Sequence, residues 1–404
     1  MSFQQGLSGL SAAARSLDII GHNIANASTV GMKSGRAEFG EVYAGSVGSI
    51  GGVAIGLGVE VAAVSQQFSQ GGLTITGNNL DVAINGGGFF QVRSTSGSSQ
   101  YTRAGNFKLD KDGAVVTNSN AQVMGYATDV KGVRLSTELV PLRLPTGTPI
   151  AAKQTTTING EITLDAKAVI ASSVTPPTPL TAYGTALSAF DPQGLEVPVA
   201  LYFTKTANNT WDVYTSVNGS DPATATPFTL NFTTDGALDP ATVIPPLTLS
   251  SPNDPAQTFT VNLDLSRMTQ VNARFSVSDL TQDGYTAGQL TGLRIENNGV
   301  LTASYSNGQT QAAGQVALAN FRNVQGLAPV GGGYWTETAG SGQPVRGAPL
   351  EGTFGQLRAG ALEESNVDLT AELVNMMTTQ RSYQANAQTV KTQDQILSTL
   401  VNLR

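Results

Sequence analysis

The two ends of the chain carry its clearest hydrophobic pattern. Near the C-terminus, apolar residues recur at steps close to three and four, a heptad-like spacing that predicts one face of a long helix. Neither Pro nor Gly interrupts residues 366–404, and Asn366 or Asp368 is expected to cap the helix start. At ~1.5 Å per residue such a helix would be about 55 Å long, and its apolar stripe needs a partner. The members of this predicted seam are Leu369, Leu373, Met376, Tyr383, Ala387, Val390, Leu397 and Val401.

The first residues of the chain repeat the same spacing. Gly21 fills the one seam position that lacks an apolar side chain. Because both patterns are terminal and share a period, we interpret them as two helices that form one coiled coil with each other. The alternative is two separate amphipathic helices, each packed on a globular core. The N-terminal members of the predicted seam are Phe3, Leu7, Leu10, Ala14, Leu17 and Ile24.

Between the two ends the pattern is that of strands. A Gly-rich segment at 44–58 predicts a flexible connection, and period-two alternation begins near residue 60. Two hairpins are expected, one around the Asp-Gly turn at 110–113 and one around the Asn-Asn-Gly turn at 297–299. These patterns predict strands on both sides of the middle of the chain that share one β domain.

The composition changes between residues 146 and 284, which hold 13 of the 18 prolines. Short alternating runs separated by turn clusters predict an inserted all-β domain, a sandwich or an irregular barrel. The predicted fold is therefore mainly β, with long terminal α-helices and two nested β domains, the middle one discontinuous and the outer one inserted. The predicted domains are 1–30 with 364–404 (terminal helical coiled coil), 31–69 (linker), 70–145 with 285–363 (middle β) and 146–284 (outer β).

Composition and charge exclude several function classes. Charged residues make up 13% of the chain, about half of the roughly 25% usual in soluble domains. The net charge is −7 with no basic block, which argues against nucleic acid or an anionic membrane as a partner. No apolar run approaches the roughly 20 residues of a membrane span, and no cleavable signal peptide is expected.

Catalytic and metal-binding constellations are not evident either. The chain has no cysteine and a single histidine, so the usual nucleophile and transition-metal sites cannot be assembled. His22 is expected at a surface or interhelix position. The acidic residues form no suggestive cluster. We therefore predict a protein that is not an enzyme and has no cofactor and no metal.

Two terminal signatures resemble those of the bacterial flagellar rod and hook family. The first is LDIIGHNIANASTVGMK at 17–33, and the second is GALEESNVDL at 360–369. Their most characteristic residues are Asn23, Asn26, Gly31, Lys33, Asn366 and Asp368. The departures are His22, where a second Asn is frequent, and Met32, where an aromatic residue is usual. The length and the large insertion are similar to those of hook members rather than rod members.

The resemblance implies a structural subunit that self-polymerises into a tubular hook, with the terminal helices lining the channel. Such a hook would act as a flexible universal joint that transmits motor torque from the rod to the filament. The implied partners are further copies of itself, the flagellar rod, the hook cap, the hook–filament junction proteins and the type III export apparatus. The implied location is extracellular, after export without a cleaved signal peptide. Two alternatives remain, a rod subunit of the same family and a secreted adhesin or glycan-binding β protein.

Overall fold

A computed structural model describes residues 2–43, 56–145, 149–173 and 179–402. The chain divides into two compact units. Unit 1 comprises Met1–Gly147, Gly292–Ala303 and Thr310–Arg404, and unit 2 comprises Thr148–Thr291 and Ser304–Gln309. Most of the predicted glycine-rich connection, residues 44–55, lies outside the described residues.

Both predicted terminal helices are present. Helix α1 is Ser2–Ala25 and helix α2 is Leu369–Asn402. Asp368 caps α2, because its Oδ1 accepts hydrogen bonds from the backbone N–H groups of Thr370 (2.9 Å) and Ala371 (3.1 Å). Of the two caps that the sequence allowed, the structure uses the second, since Asn366 is engaged elsewhere.

A long antiparallel hairpin follows α1. Strand β1 is Gly35–Tyr43, strand β2 is Gly56–Gln66, and Gly35 pairs with Gln66. The hairpin lies on α1, where Gln5 Nε2 donates to the carbonyl oxygen of Gly56 at 2.7 Å. The predicted linker 31–69 thus contains a regular hairpin, and its strands begin well before residue 60. Local alternation in 35–43 is weak, and pairing with a segment beyond the Gly-rich stretch stabilises it.

The first half of the β structure of unit 1 runs from residue 73 to residue 141. The Asp-Gly turn at 110–113 joins strands Lys108–Leu109 and Val115–Val116, as predicted, with Gly113 at φ +73°. The strands are β3 (Leu73–Ile75), β4 (Val82–Asn85), β5 (Phe89–Arg93), β6 (Ser99–Thr102), β7 (Lys108–Leu109), β8 (Val115–Val116), β9 (Gln122–Thr128) and β10 (Arg134–Pro141).

Unit 2 is a β-sandwich, one of the two architectures predicted for the insertion. The strands are β11 (Thr157–Asp165), β12 (Gly184–Phe190), β13 (Glu196–Ala207), β14 (Thr210–Val217), β15 (Phe228–Asn231), β16 (Leu247–Ser250), β17 (Thr258–Asp264), β18 (Thr269–Val271) and β19 (Ser276–Gln282). Short 3-10 helices lie at Ala171–Ser173, Leu180–Ala182 and Pro222–Thr224. One sheet has five strands in the order β16-β17-β11-β18, with β19 paired to β11, and the other is antiparallel with the order β12-β13-β14-β15. The two sheets bury alternate residues in one core that includes Ile158, Phe203 and Trp211.

Strands after the insertion complete the β structure of unit 1. They are β20 (Leu290–Ile295), β21 (Val300–Tyr305), β22 (Thr310–Val316), β23 (Leu318–Asn320), β24 (Ala328–Gly331), β25 (Tyr334–Thr336), β26 (Val345–Gly347), β27 (Gln356–Ala359) and β28 (Ala361–Glu363), with a 3-10 helix at Val324–Gly326. The main order is β20-β21-β22-β9-β5-β6-β25-β24, and β27 pairs with β4 and β28 with β3. The predicted turn at 297–299 joins β20 to β21.

An aromatic cluster joins the two halves of unit 1. Phe89 and Tyr101 come from before the insertion, and Phe321 and Trp335 from after it. Their rings meet edge to face, with the Tyr101 and Phe321 centroids 4.8 Å apart. The predicted discontinuous β domain is therefore confirmed.

Candidate functional site at the joined termini

Helices α1 and α2 pack side by side and run antiparallel. A Cβ added to Gly6 would lie 3.0 Å from Val390 Cγ2, and one added to Gly9 would lie 2.8 Å from Asn386 Nδ2. Towards the other end of α1, Asn23 Nδ2 donates to Glu372 Oε1 at 3.1 Å. The predicted pairing of the two chain termini is confirmed.

Small and polar residues make the contact between the helices. Gly6, Ala12 and Ala13 are buried, and the two glycines let the helix backbones approach closely. A cavity of about 480 Å³ remains between α1, α2 and the hairpin. It is lined by Gly9, Ala12, Ala13, Ser16, Phe39, Val59, Thr378, Thr379, Ser382 and Asn386. The two helices are thus in close contact at Gly6 and Gly9, and the space between them and the hairpin is not completely filled.

The predicted apolar seam lies outside most of this contact. Phe3 is 43% exposed, Leu7 54% and Leu373 49%. Among the predicted seam residues, only Val390 lies against a glycine of the facing helix in the described contacts. The placement of Gly21 in the seam is wrong, because nothing lies within 4 Å of a Cβ added there. Leu369, Tyr383 and Leu397 are exposed, Leu10, Ala14, Leu17, Ile24, Met376 and Ala387 are half-buried, and the Val401 side chain lies outside the described residues.

The physical reason for the correction is helix geometry. At 3.6 residues per turn, the small-residue face of α1 (Gly6, Gly9, Ala13 and Ser16) lies about a third of a turn from the apolar stripe. Because glycine permits close backbone approach, the small-residue face of α1, rather than its apolar stripe, contacts α2 of the same chain. The large apolar side chains are left facing outward.

A buried ionic cluster ties the segment after α1 to the segment before α2. Glu363 Oε1 accepts from Lys33 Nζ at 2.5 Å, and Glu363 Oε2 accepts from Arg103 Nη1 at 3.2 Å. The side chains of Lys33 and Glu363 are both 0% exposed. Lys33 Nζ also donates to the carbonyl oxygen of Ser69 at 2.7 Å. One carboxylate therefore joins three distant stretches of sequence.

Two asparagines extend this connection by hydrogen bonds to the backbone. Asn366 Oδ1 accepts from Ser34 N at 2.8 Å, and its Nδ2 donates to the carbonyl oxygen of Gln67 at 2.7 Å. Asn23 exchanges two hydrogen bonds with the backbone of Gly35, at 2.8 and 2.9 Å. We call Asn23, Lys33, Arg103, Glu363 and Asn366 the junction cluster. It fixes both helices and the hairpin to the β structure of unit 1.

Gly31 makes the chain reversal in the junction cluster possible. Its φ is +70°, a conformation that glycine adopts without strain, and its N–H donates to the carbonyl oxygen of Glu363 at 2.8 Å. A Cβ at this position would lie 2.6 Å from the backbone nitrogen of Ala104. The position therefore requires glycine for two independent reasons.

Burial sets the electrostatics of the cluster. Desolvation lowers the pKa of Lys33, and the charge and hydrogen bond of Glu363 oppose that shift. Desolvation likewise lowers the pKa of Arg103, again opposed by Glu363. Arg103 also stacks over the Phe89 ring at 5.2 Å and donates through Nη2 to the carbonyl oxygen of Gly86. One buried carboxylate thus compensates two buried cations.

Four of the six characteristic signature residues meet here. Asn23, Gly31, Lys33 and Asn366 lie in or beside the cluster. Asn26 closes the end of α1 locally, where its Nδ2 donates to the carbonyl oxygen of His22, and His22 is exposed. Asp368 caps α2.

Two charged residues of the cluster, Arg103 and Glu363, are not among the site residues predicted from the sequence. Arg103 gave no signal, because an isolated Arg in a strand region is usually exposed. Glu363 lies at the buried end of β28, where Ala361 is also buried. In a strand, residues 361 and 363 face the same side of the sheet, so the apolar Ala361 was the one signal that the Glu363 side chain points inward.

Substituting Gly31 with alanine is expected to lower the free energy of unfolding of unit 1 by about 1–3 kcal/mol, because strain and a backbone clash add. Gly77→Ala is the matched control. Gly77 has φ +74°, yet nothing lies within 4 Å of its added Cβ. Urea unfolding of both variants measures the difference. Equal losses would show that the close approach to Ala104 has no energetic weight.

The described residues hold no group of three or more His, Asp or Glu side chains placed to bind a metal ion. In the same part of the chain, neither helix combines the length and apolar character that crossing a bilayer requires. The junction cluster contains no nucleophile paired with a base. Its contacts join distant segments of the chain.

Profiles of known families match successive parts of the chain. Residues 3–33 match the flagella basal body rod protein profile, and residues 358–403 match the C-terminal profile of the flagellar basal body rod FlgEFG proteins. Residues 83–172 match the D1 domain of the flagellar hook proteins FlgE/F/G, and residues 163–285 match the FlaE D2 domain of flagellar basal body proteins.

Whole-chain comparisons agree with these profiles. The flagellar hook protein FlgE of Salmonella typhimurium is 42% identical over 414 residues, covering 100% of both chains. FlgE of Treponema pallidum is 32% identical, covering 100% of this chain and 99% of its own. The crystal structure of Helicobacter pylori flagellar hook protein FlgE2 has a similar fold, with a TM-score of 0.56 at 17% identity over 72% of this chain and 100% of that chain.

The fold, the joined termini and the matched profiles define a structural protein of the bacterial flagellum. Within that class, the chain belongs to the flagellar hook protein family.

Proposed function

We propose that this chain polymerises through its terminal helix pair into the tubular hook, and that the hook is a flexible joint transmitting motor torque to the filament. The observation that carries the proposal is the outward apolar stripe of a helix pair whose mutual contact is made by small residues. Phe3, Leu7, Leu369 and Leu373 are exposed in the single chain. Because the helices are antiparallel, Phe3 and Leu7 lie near one end of the pair and Leu369 and Leu373 near the other. Exposed apolar surface of this kind is typical of a surface that binds another protein.

A tube that extends indefinitely needs heterologous contacts, in which one patch meets a different patch on the next copy. The helix pair offers distinct outward faces on α1 and α2, which suits such contacts. The junction cluster supports the proposal by coupling the pair to the β structure of unit 1. A force on the helices would then pass directly to the rest of that unit.

The charge distribution supports flexibility. Of the seven ion pairs among the described residues, only the two that share Glu363 are buried. Exposed pairs contribute little, roughly 0–1 kcal/mol each. A chain with 13% charged residues can exchange polar contacts between copies without separating strong ion pairs. Bending would therefore leave the interior of each copy intact.

The same proposal includes partners and export. The subunit would contact the flagellar rod at one end, the hook cap during growth and the hook–filament junction proteins at the other end. It would pass through the type III export apparatus without a cleaved signal peptide and function outside the cell. The role is structural, with no catalytic step and no cofactor. No observation favours an adhesin.

Electron microscopy of the purified full chain tests the proposal. On addition of a precipitating salt we expect tubes with measurable curvature, because weak polar contacts allow copies at different positions to adopt different spacings. Straight, rigid tubes would instead identify a rod subunit. A chain that stays monomeric across salt and concentration would contradict self-assembly.

A further inference from the structure

A turn on the surface of unit 1 displays a leucine in a backbone conformation that suits glycine. Leu350 has φ +68°, and it is the one residue other than glycine and asparagine with positive φ in the described part of the chain. Pro349 precedes it, and Glu351 N donates to the carbonyl oxygen of Ala348 at 3.2 Å. Leu350 is therefore at the third position of a β-turn, where type II turns favour glycine. A bulky residue in this conformation is strained, and such strain clusters at functional positions.

Burial within the single chain does not compensate this strain, because Leu350 is 59% exposed. The turn is nevertheless held firmly. Glu351 Oε2 accepts from Ala348 N at 3.0 Å, and the same carboxylate pairs with Arg134. Leu350 N donates to the carbonyl oxygen of Gly355 at 3.3 Å. Leu350 is thus a fixed apolar projection, and we call it the knob.

A free cation lies beside the knob. Leu350, Arg294 and Arg358 line one surface cavity of about 490 Å³. Arg294 pairs with Glu296 at 3.3 Å. Arg358 is exposed, and no hydrogen bond or ion pair reaches its side chain from the residues that the structure describes. The surface around the knob therefore suits an apolar recess with a carboxylate at its rim.

Such a recess exists in the same unit, between the end of α1, the base of the hairpin and the segment 325–329. Its volume is about 340 Å³, within the roughly 300–1,000 Å³ typical of binding pockets. Asp18 and His22 are exposed and lie at its rim. We call this cavity the recess. Its walls are formed by the apolar side chains of Ile19, Met32, Val64, Phe68, Leu327 and Pro329.

Asp18 gives the rim of the recess a free negative charge. Within the described residues, no hydrogen bond or ion pair reaches its carboxylate. Lys33 also lines the recess, but its ammonium group is bound to Glu363. The recess thus combines apolar walls with an unpaired carboxylate, and the knob stands beside the unpaired guanidinium of Arg358. The two surfaces are complementary in apolar character and in charge.

The knob cannot fill the recess of its own chain. Leu350 does not line the recess, and Asp18 does not line the cavity beside the knob. Hydrogen bonds fix the turn, and the recess is fixed by the junction cluster and by Gln66, whose Oε1 accepts from Trp335 Nε1 at 2.5 Å. A contact between the knob and a recess therefore requires a second copy.

We propose that the knob of one copy docks in the recess of a second copy, with Leu350 against the apolar walls and Arg358 paired with Asp18. The proposal rests on the polymerisation proposed above and assigns one contact to it. The contact is heterologous, because each copy offers one knob and one recess at different places, and an extending tube needs contacts of this type. Burial in the next copy also accounts for a strained leucine that the fold of one chain does not use.

Exchange of the two charges tests the pairing. Arg358→Asp and Asp18→Arg are each expected to raise the critical concentration for tubes about tenfold, because each places like charges opposite one another. In the doubly substituted chain opposite charges face again, and the critical concentration should return to within about threefold of that of the unaltered chain. Sedimentation at increasing protein concentration measures it. Arg322→Asp combined with Asp18→Arg is the matched control, since Arg322 is another exposed arginine, and this combination should not restore assembly.

Replacing Leu350 with glycine tests the knob separately from folding. Glycine suits φ +68°, so Leu350→Gly should be no easier to unfold in urea than the unaltered chain. Its critical concentration should nevertheless rise about tenfold, because the apolar contact between copies is lost. Val243→Gly, which removes an exposed apolar side chain of unit 2, is the control and should assemble normally.

The outcomes separate this docking from polymerisation itself. Tubes that form at the usual concentration from Arg358→Asp or from Leu350→Gly would overturn the docking and leave polymerisation standing. A double exchange that assembles no better than the single variants would also overturn it. A Leu350→Gly chain that unfolds more easily would assign Leu350 to the fold of the single chain and overturn the knob. If the unaltered chain forms no tubes, the proposed function fails, and the docking fails with it.

Discussion

Glu363→Gln is expected to lower the free energy of unfolding of unit 1 by about 3–5 kcal/mol, the cost of leaving buried charges without their partner. The substitution keeps the shape of the side chain and removes only its charge. Lys33 and Arg103 would then be buried with no carboxylate, since both contact Glu363 directly. Calorimetry or urea unfolding measures the loss.

Glu364→Gln is the matched control for this prediction. Glu364 is the next residue, is exposed and hydrogen-bonds only at the surface, where its Oε1 accepts from Thr74 Oγ1 at 2.5 Å. We expect a change within about 0.5 kcal/mol for this variant. Equal losses at the two positions would contradict a special role for the junction cluster. Adding Lys33→Met to Glu363→Gln should recover part of the loss, because it removes one unpaired cation.

The pH dependence of Glu363→Gln follows from the pKa of Lys33. Burial already lowers this pKa from its ordinary value of 10.5, and the variant loses the carboxylate that opposes the shift. Below 10.5 the unfolded chain then binds more protons at Lys33 than the folded chain does. Stability of the variant therefore rises with pH towards 10.5, and its deficit relative to the unaltered protein shrinks. A deficit that grows over that range would show that Lys33 is not the unpaired group.

The double substitution Leu373→Asp with Met376→Asp is expected to abolish polymerisation while unit 1 stays folded. Leu373 is 49% exposed and Met376 is half-buried, so neither is part of the monomer core. Removing two large apolar contacts costs about 4 kcal/mol per junction between copies. The critical concentration for tubes should therefore rise by about three orders of magnitude. Sedimentation of tubes at increasing protein concentration measures it.

Gln388→Asp with Gln395→Asp is the control for added charge. Both residues are exposed and lie on the side of α2 away from α1 and from the apolar stripe. This variant should assemble close to normally. If Leu373→Asp with Met376→Asp still assembles at the usual concentration, the outward stripe is not an assembly surface. If both variants fail equally, added negative charge rather than the stripe is responsible.

Much of the fold could be predicted from sequence because its signals are local. Period-three-to-four spacing, uninterrupted by Gly or Pro in the C-terminal segment, predicted both helices within a few residues of α1 and α2. The Asp-Gly turn before Ala114 and the Asn-Gly turn before Val300 gave hairpins that are present. The proline-rich insertion was recognised as a separate β unit. Its predicted bounds, 146 and 284, remain predictions, and the main segment of unit 2 runs from Thr148 to Thr291.

The site was only half predictable. Asn23, Lys33 and Asn366 were singled out by resemblance, but nothing in the sequence indicated that they meet around Glu363. The central pair, Lys33 and Glu363, is 330 positions apart along the chain. The β1–β2 hairpin was missed for a related reason, since its two strands are joined across a Gly-rich stretch. Contacts at such separation leave no local periodicity.

The sequence by itself determined the helices, the β character of the centre, the insertion and the family, because each depends on short-range patterns of apolar, glycine and proline residues. Tertiary structure alone decided which helix faces meet. Glycine permits a closer backbone approach than leucine, so α1 turns Gly6 and Gly9 towards α2 and leaves Phe3 and Leu7 outside. Tertiary structure also placed Glu363 between two buried cations, because a buried charge must be compensated wherever its partners lie in the chain.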